Sequence, residues 1–529
     1  HGAGTCDPVA GCSSPALTGT ACNADNDACT TDLCQAGTCV AGAPLTCSAD
    51  LCHIAGVCDA VAGGCPTPVA KSCAYGTSCS LNDGNCHTTC PTASYAKTYP
   101  VASIAGIALD GAGNQYFSAS LFNTVDFGGG ATATSAGSAD LALVKLDPAT
   151  GLPVWVKSFG DSQDQVAVGA AVSHSGHVGA IGNFTGSLTV GNSISNAGSV
   201  AIDFVVGTDN SGTGLWAKSV NTQLGALLAM AGNPARDEFV ACGYAAGTVT
   251  DMGFTGTHGT DGLEDILIAK VNSATGATIW ARQIGSAGTQ LCSAIAMDAT
   301  GNVFATGTYN GAPDLGTGAL PTLGSTVQAV WVAKFDGATG ATLITKAYGN
   351  IGKQAARAIA LDSTGNVAIT GNLKNSINFV VATLTSVGST DGYLVKFDST
   401  LTPVWAKSWG NNLAQESHGV AFNSVGDLVV IGSMLGTATF GTTVLTTTGT
   451  VATDLYWAKF AADGSNVCAA IYGDAGNQSG DIVAISSLAT GAQKDMVNMV
   501  GFSNGTTTFA SGISITTTVP NGFVLQMNP

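Results

Sequence analysis

Histidine and glutamate are the residues of this chain whose chemistry is most versatile, and both are sparse. His174 and His177 fall on one predicted turn, where a metal would bind both but would need a third ligand. Glutamate occurs only at Glu238, Glu264 and Glu416, and no spacing pairs these carboxylates for glycoside hydrolysis. The sequence contains no HExxH motif and no nucleotide-binding loop. We therefore expect that the protein is not an enzyme.

An acidic segment near the N-terminus is the best candidate for a metal site. The sequence NADNDACTTD places oxygen ligands at alternating positions between residues 23 and 32, somewhat as calcium loops do. We predict Asp25, Asp27 and Asp32 as calcium ligands, and the alternative interpretation is a capped turn. We expect no other cofactor.

Fourteen of the seventeen cysteines lie in the first 90 residues. So dense a block in a segment with few large apolar residues indicates a disulfide framework formed in an oxidising, extracellular compartment. The sequence does not give the pairing. The similar segments CDPVAGC and CDAVAGGC predict two linked cysteine-rich modules. The predicted disulfide cysteines are Cys6, Cys12, Cys22, Cys29, Cys34, Cys39, Cys47, Cys52, Cys58, Cys65, Cys73, Cys79, Cys86 and Cys90.

The elements that would position any site come from a repeat of about 61 to 64 residues that fills the rest of the chain. Its clearest copy reads AIALDSTGNVAITGN, then DGYLVKFD, then TPVWAKSWG, between residues 358 and 410. These segments predict four strands, A to D, with Asp and Gly in the turns. Seven copies of a four-stranded unit predict a seven-bladed β-propeller.

The last copy stops one strand short. It ends at GFVLQMNP, residues 522–529, without the tryptophan segment that forms strand D elsewhere. The segment SYAKTYP, just before the first copy, resembles the missing strand. We predict an all-β fold in which this N-terminal strand completes the last blade and closes the ring, with small disulfide-rich modules at residues 1–90 and the propeller at residues 91–529. The closing residues are Tyr95, Ala96, Lys97, Thr98 and Tyr99.

The three cysteines within the repeats are odd in number. Cys242 on strand B of blade 3 and Cys292 on strand A of blade 4 belong to neighbouring blades, so we consider them an additional pair. Cys468, on an outer strand, would then be a buried thiol or would form a bridge to another chain.

Lysine and tryptophan recur at fixed positions of the repeat. We interpret the lysines as solvated charges on outer strands that discourage edge pairing. For the strand D tryptophans the prediction is packing between outer strands, and a sugar-stacking surface is the alternative. These tryptophans are Trp155, Trp216, Trp280 and Trp405.

The overall charge narrows the range of partners. The formal net charge is −17, yet only 10% of the residues are charged, which argues against nucleic acid and anionic lipid. No apolar run of about 18 residues exists, so we expect no direct membrane insertion. The chain begins with His1, which is consistent with an export signal already removed. We expect an extracellular or cell-surface location.

The DxxLVKFD and WAKxxG segments, with FGGG or FGTT in the loop between strands B and C, resemble the bacterial SBBP-type β-propeller repeat. The resemblance spans roughly residues 93–529. The cysteine-rich block resembles modules attached to such propellers in myxobacteria and related bacteria. The resemblance implies an exported surface protein, and it supplies no catalytic residues.

These features favour a non-catalytic secreted or cell-surface structural protein. A rigid propeller with a cysteine-rich arm suggests head-to-tail self-assembly into an extracellular filament. The alternative is an adhesin or lectin-like binding module that uses the propeller loops. The expected partners are accordingly other copies of the chain, other surface proteins, or glycans.

Overall fold

A computed structural model describes the protein. The described residues are 6–7, 11–12, 29–35, 38–44, 46–47, 53–54, 58, 69–70, 77–79, 86–88, 91–101, 104–222, 224–249, 251–257, 263–322, 327–486, 491, 493–509 and 512–529. The chain divides into two compact units, His1–Cys90 and Pro91–Pro529.

The described residues of the N-terminal unit include short antiparallel strand pairs. Within it, Cys29 and Cys58 form a disulfide. The pairs are Cys6–Asp7 with Gly11–Cys12, Leu33–Gln35 with Thr38–Val40, His53–Ile54 with Val69–Ala70, and Thr77–Cys79 with Cys86–Thr88.

The second unit is the predicted seven-bladed propeller, and each blade is an antiparallel sheet with strand order A-B-C-D. Blade 1 contains Ile104–Leu109, Gln115–Leu121, Asp140–Leu146 and Pro153–Phe159; blade 2 contains Gln165–Val172, Val178–Phe184, Ile202–Thr208 and Gly214–Val220; blade 3 contains Ala226–Gly232, Glu238–Ala245, Asp265–Asn272 and Thr278–Ile284. Blade 4 contains Gln290–Met297, Val303–Tyr309, Ala329–Phe335 and Thr342–Tyr348; blade 5 contains Ile351–Leu361, Val367–Asn378, Asp391–Phe397 and Pro403–Trp409; blade 6 contains Gln415–Phe422, Leu428–Met434, Asp454–Phe460 and Asn466–Tyr472.

Blade 7 is completed from the other end of the propeller sequence, as predicted. Its strands are Gln478–Ile485, Val497–Thr508, Ser514–Asn528 and, as strand D, Thr92–Tyr99. Tyr99 lies opposite Gly522, and Thr92 lies opposite Asn528. The fold class and its closure by the N-terminal strand are therefore confirmed.

Short additional strands lie in the loops between strands B and C. Separate hairpins occur in blades 1, 2 and 6, and blades 3 and 5 gain one further strand each. The hairpins pair Thr124–Asp126 with Thr132–Thr134, Gly186–Val190 with Asn192–Asn196, and Thr437–Phe440 with Thr443–Thr446; the further strands are Thr255–Thr257 and Thr383–Thr385. A 3-10 turn, Asp251–Gly253, is the only helical element among the residues described here.

The hydrophobic core lies between adjacent blades. Tyr116 and Leu143 of blade 1, for example, pack with Phe204 and Val206 of blade 2. Strand C is buried along its whole length in several blades because it has a neighbouring blade on each face. The rigid ring of blades therefore fixes the position of the innermost strands.

A tryptophan of strand D links most blades to the next one. Each indole nitrogen donates to a backbone carbonyl in the turn between strands C and D of the following blade. The bonds run from Trp155 to Asn210, Trp216 to Ser273, Trp280 to Gly337, and Trp405 to Ala462. These side chains therefore pack between blades, as the repeat pattern predicts.

The prediction of solvated lysines is wrong for strand C. The side chain of Lys270 is only 1% exposed; its Nζ lies 2.7 Å from Glu238 Oε2 and donates to the carbonyls of Gly301 and Gly337. Lys145 Nζ lies 5.0 Å from the ring centroid of Tyr116. These long stems pack against buried apolar groups while their ammonium groups reach oxygens or aromatic faces.

Two cysteines of neighbouring blades are joined. Cys242 and Cys292 form a disulfide, and both residues are completely buried. Cys468 is also disulfide-bonded, so the alternative of a buried thiol is wrong. These bonds fit an extracellular or periplasmic compartment. Within the described ranges, no helix has the length and apolar character needed to cross a membrane.

Candidate binding site in the propeller channel

Every strand A of the propeller carries a bulge at the same place. The pairing register of strand A with strand B shifts by one residue there in all seven blades. A bulge leaves one residue unpaired and changes the direction of its side chain. The seven bulge residues all line the central channel, and they are Ala105, Val168, Leu228, Ser293, Arg357, His418 and Asp481.

The channel consequently has two chemically different sectors. Blades 1 to 3 contribute the aliphatic side chains of Ala105, Val168 and Leu228, and blade 4 contributes a serine. Blades 5, 6 and 7 contribute arginine, histidine and aspartate at the equivalent positions. The cavity between the two sectors has a volume of about 260 Å³. A seven-fold architecture thus carries a one-sided polar site.

His418 lies between two carboxylates. Its Nε2 is 3.3 Å from Glu416 Oε2, and its Nδ1 is 3.5 Å from Asp481 Oδ1. Nδ1 also lies 3.1 Å from the carbonyl oxygen of Gly480. Glu416 belongs to the same strand as His418, whereas Asp481 comes from the next blade. The histidine therefore connects blades 6 and 7 at the wall of the channel.

The two carboxylates keep this histidine charged. Burial opposes protonation, but the hydrogen bonds to Asp481 and Glu416 outweigh it and raise the pKa of His418 to about 9. The pKa of Glu416 is lowered, first by its hydrogen bond from His418 and then by the charges of His418 and Arg357. At neutral pH His418 is therefore an imidazolium and Glu416 a carboxylate.

Arg357 supplies a second positive charge. Its side chain is exposed to the channel. Within the described part of the chain, its guanidinium has no hydrogen bond and no ion pair. A guanidinium carries five donors in a planar fork that suits carboxylate or phosphate. Arg357 is therefore available to bind an anionic group in the channel.

The serine beside this histidine does not complete a catalytic triad. Ser479 Oγ lies 3.2 Å from His418 Nδ1 and donates to Asp481 Oδ1 at 2.8 Å. A triad requires the nucleophile and the acid on opposite ring nitrogens, with the nucleophile accessible. Here Asp481 shares Nδ1 with the serine and Glu416 occupies Nε2, but Ser479 is buried, so its hydroxyl is not accessible to a substrate. The arrangement holds charge in place rather than activating this hydroxyl.

The two histidines singled out from the sequence do not share a ligand. His177 Nδ1 lies 3.0 Å from Ser273 Oγ, whereas His174 Nδ1 lies 3.0 Å from the carbonyl oxygen of Pro234. Asp237 Oδ1 is 3.6 Å from His177 Nδ1. These contacts connect blade 2 to blade 3. The described residues contain no group of three or more metal-ligating side chains arranged for a metal.

Of the three predicted calcium ligands, only Asp32 is among the described residues. Asp25 and Asp27 lie outside the described residues. Asp32 is buried, and its Oδ1 accepts a hydrogen bond from the backbone nitrogen of Gly42 at 2.9 Å. Calcium binding in this segment stays a prediction.

Sequence reasoning missed the channel site. In the sequence Glu416 is one of three glutamates without a paired carboxylate, and no motif singles out Asp481. The available signal was the repeat itself, since Arg357, His418 and Asp481 are 61 and 63 residues apart and thus occupy one repeat position. That position is small or aliphatic in most other blades.

Comparisons with known proteins find other propeller structures at low sequence identity. No protein-family model matches the chain, and no curated protein matches it either. Solved structures similar to it include BamB from Moraxella catarrhalis, at 14% identity over 80% of this chain and 83% of that chain, with a TM-score of 0.31. Another is quinohemoprotein alcohol dehydrogenase from Comamonas testosteroni, at 11% identity over 82% and 76%, with a TM-score of 0.40. A third is a europium-containing methanol dehydrogenase, at 12% identity over 83% and 93%, with a TM-score of 0.39.

The expectation that the chain is not an enzyme is overturned. Its premise fails, because ionisable side chains do converge in the channel around His418. The likeness extends to the fold alone and gives no substrate or reaction for this chain.

Proposed function

We propose that this protein is an extracytoplasmic binding protein whose propeller channel holds a small polar molecule. The observation that carries the proposal is the concentration of Arg357, His418 and Asp481 at equivalent bulges of three consecutive blades. A purely structural ring has no need of charge at its centre, where burial of charge costs free energy. An unpaired guanidinium beside a cavity is typical of a ligand site.

The disulfides support the compartment. Cys242–Cys292 and Cys29–Cys58 form and persist in an oxidising environment, in agreement with an exported protein. Surface display, and membership of the SBBP-type repeat family, remain proposals that rest on the repeat motifs.

The filament hypothesis is not favoured by any described contact. It depends on the cysteine-rich arm, most of which lies outside the described residues. It stays a prediction that electron microscopy of the untagged protein tests, since ordered fibres with a propeller-sized repeat are expected if it holds.

A thermal-shift screen of the full-length protein tests the binding proposal. The panel contains small sugars, organic acids, amines and amino acids. At least one compound should raise the Tm of the wild type, because ligands that bind only the folded state stabilise it. The same compound should leave the Tm of Arg357→Ala unchanged.

The matched control is Lys407→Ala, which removes an exposed positive charge from the outermost strand of the same blade. This variant should respond as the wild type does. The proposal fails if every stabilising compound stabilises Arg357→Ala equally, or if none stabilises the wild type.

A further inference from the structure

The polar sector of the channel has both signs of charge within reach of one ligand. Arg357, His418 and Asp481 line the cavity, and the carboxylate of Glu416 lies next to them, 3.3 Å from His418 Nε2. Their charges sum to zero when all four are ionised. A ligand with a single charge would therefore meet repulsion as well as attraction, whereas a dipolar ligand meets two attractive partners.

The positive side of the sector is open. His418 directs both ring nitrogens to carboxylates, so its donors are already engaged. Arg357 instead has no partner in the part of the chain that the structure describes. A carboxylate of the ligand would therefore bind to Arg357, where two parallel N–H donors match its two oxygens.

The negative side is open as well. Glu416 uses Oε2 for His418, and Asp481 uses Oδ1 for His418 and Ser479. The second oxygen of each carboxylate has no hydrogen bond to any described residue. The side chains of Glu416 and Asp481 are 42% and 33% exposed. Asp481 lines the cavity, so its second oxygen is accessible there to an ammonium group of a ligand.

The opposite wall of the cavity is apolar and small. Val168, Leu228 and Met230 line it, and the cavity volume is about 260 Å³. A space of this size accepts a small molecule with a compact apolar portion rather than an oligosaccharide.

From this arrangement we propose that the ligand is a small zwitterion of the amino-acid type, with its carboxylate on Arg357 and its ammonium on Asp481. The proposal rests on the binding function proposed above and specifies its ligand class. The apolar side chain of the ligand faces Val168 and Leu228.

Isothermal titration of the full-length protein tests the ligand class. The standard L-amino acids are titrated first, and the tightest binder is then compared with its carboxamide, which lacks the anion, and with its deamino acid, which lacks the cation. Each analogue should bind at least about tenfold more weakly than the amino acid. Arg357→Ala should bind the amino acid no more tightly than its carboxamide, and Asp481→Asn should bind it no more tightly than its deamino acid.

Lys407→Ala again serves as the control and should bind as the wild type does. The ligand class is wrong if no amino acid binds at about 10 mM, or if the amino acid and its deamino analogue bind equally. Binding of the deamino acid alone, lost in Arg357→Ala, would overturn the zwitterion and leave the channel site standing. If instead no compound in the thermal-shift screen raises the Tm of the wild type, the proposal that the channel is a binding site is itself wrong.

Discussion

The aromatic ring of Tyr95 lies directly against Gly151. A Cβ atom placed on Gly151 would be 2.6 Å from Tyr95 Cε2, and the glycine has a φ of +65°. The same relationship joins Trp155 to Gly212 and Trp216 to Gly276. Tyr95 therefore takes the place of the tryptophan in blade 7, and the ring closes with the contact that it uses between its other blades.

The substitution Gly151→Ala should lower the free energy of unfolding by more than the left-handed backbone conformation of Gly151 alone explains. A left-handed φ costs a non-glycine residue roughly 1–2 kcal/mol, and the clash with Tyr95 should add about 1–3 kcal/mol. Gly129→Ala is the matched control, since Gly129 has a φ of +62° and nothing within 4 Å of its Cβ position. The free energy of unfolding, measured with denaturant, should fall more for Gly151→Ala. Equal losses would show that the Tyr95 contact contributes nothing.

The interblade hydrogen bond of Trp216 should matter more than that of Trp155. Trp216→Phe leaves the buried carbonyl of Ser273 without its donor, at a cost of about 1–3 kcal/mol. Trp155→Phe removes a bond to Asn210 that is exposed, so water replaces the donor. Urea unfolding of both variants compares them, and an equal loss of stability in the two would contradict this reasoning.

The architecture could be predicted from the sequence because its signals are periodic. The repeat gave seven four-stranded units, and the segment containing Tyr95 identified the closing strand. The prediction for Cys242 and Cys292 used only the assignment of their strands to neighbouring blades, and the structure joins them. Each of these inferences needed the position of a residue in the repeat and no knowledge of side-chain direction.

The site was not predicted because it depends on a bulge. A bulge changes the direction of one side chain, and in the sequence of strand A nothing marks Arg357 or His418 as the bulge residue. The pairing of Glu416 with His418 and Asp481 also joins two blades. Burial of Lys270 was missed for a related reason, since its partner Glu238 is on another strand and its carbonyl acceptors belong to the next blade.

Removal of the interblade disulfide should lower stability substantially. Cys242 and Cys292 are 50 residues apart in sequence, and a loop of that length corresponds to about 4 kcal/mol in the chain-entropy description. Thermal unfolding of the double variant Cys242→Ala, Cys292→Ala measures the loss. As a control, wild-type protein unfolded without reductant should show no thiol labelling at either cysteine. Labelling there would mean that the disulfide does not form.

The charge of His418 should make stability depend on pH. The folded pKa of about 9 exceeds the ordinary value of 6.5, so protonation favours the folded state. The contribution is complete below about pH 6.5 and is lost as the pH rises through about 9, and it amounts to at most about 3 kcal/mol. Tm measured from pH 6 to 10 should therefore fall in the wild type.

Two variants separate His418 from other groups that titrate in this range. His418→Gln should remove this part of the fall in Tm. Glu416→Gln should move it to lower pH, because one of the two carboxylates that raise the pKa is gone. An unchanged pH profile in both variants would mean that His418 is not the charged group.

The central claim is that the propeller channel binds its ligand at Arg357, and a crystal structure with the compound that most raises the Tm tests it most directly. We predict electron density in the channel in contact with the Arg357 guanidinium, on the side of His418 and Asp481. Density for the compound at the outer loops, with only solvent beside Arg357, would contradict the account.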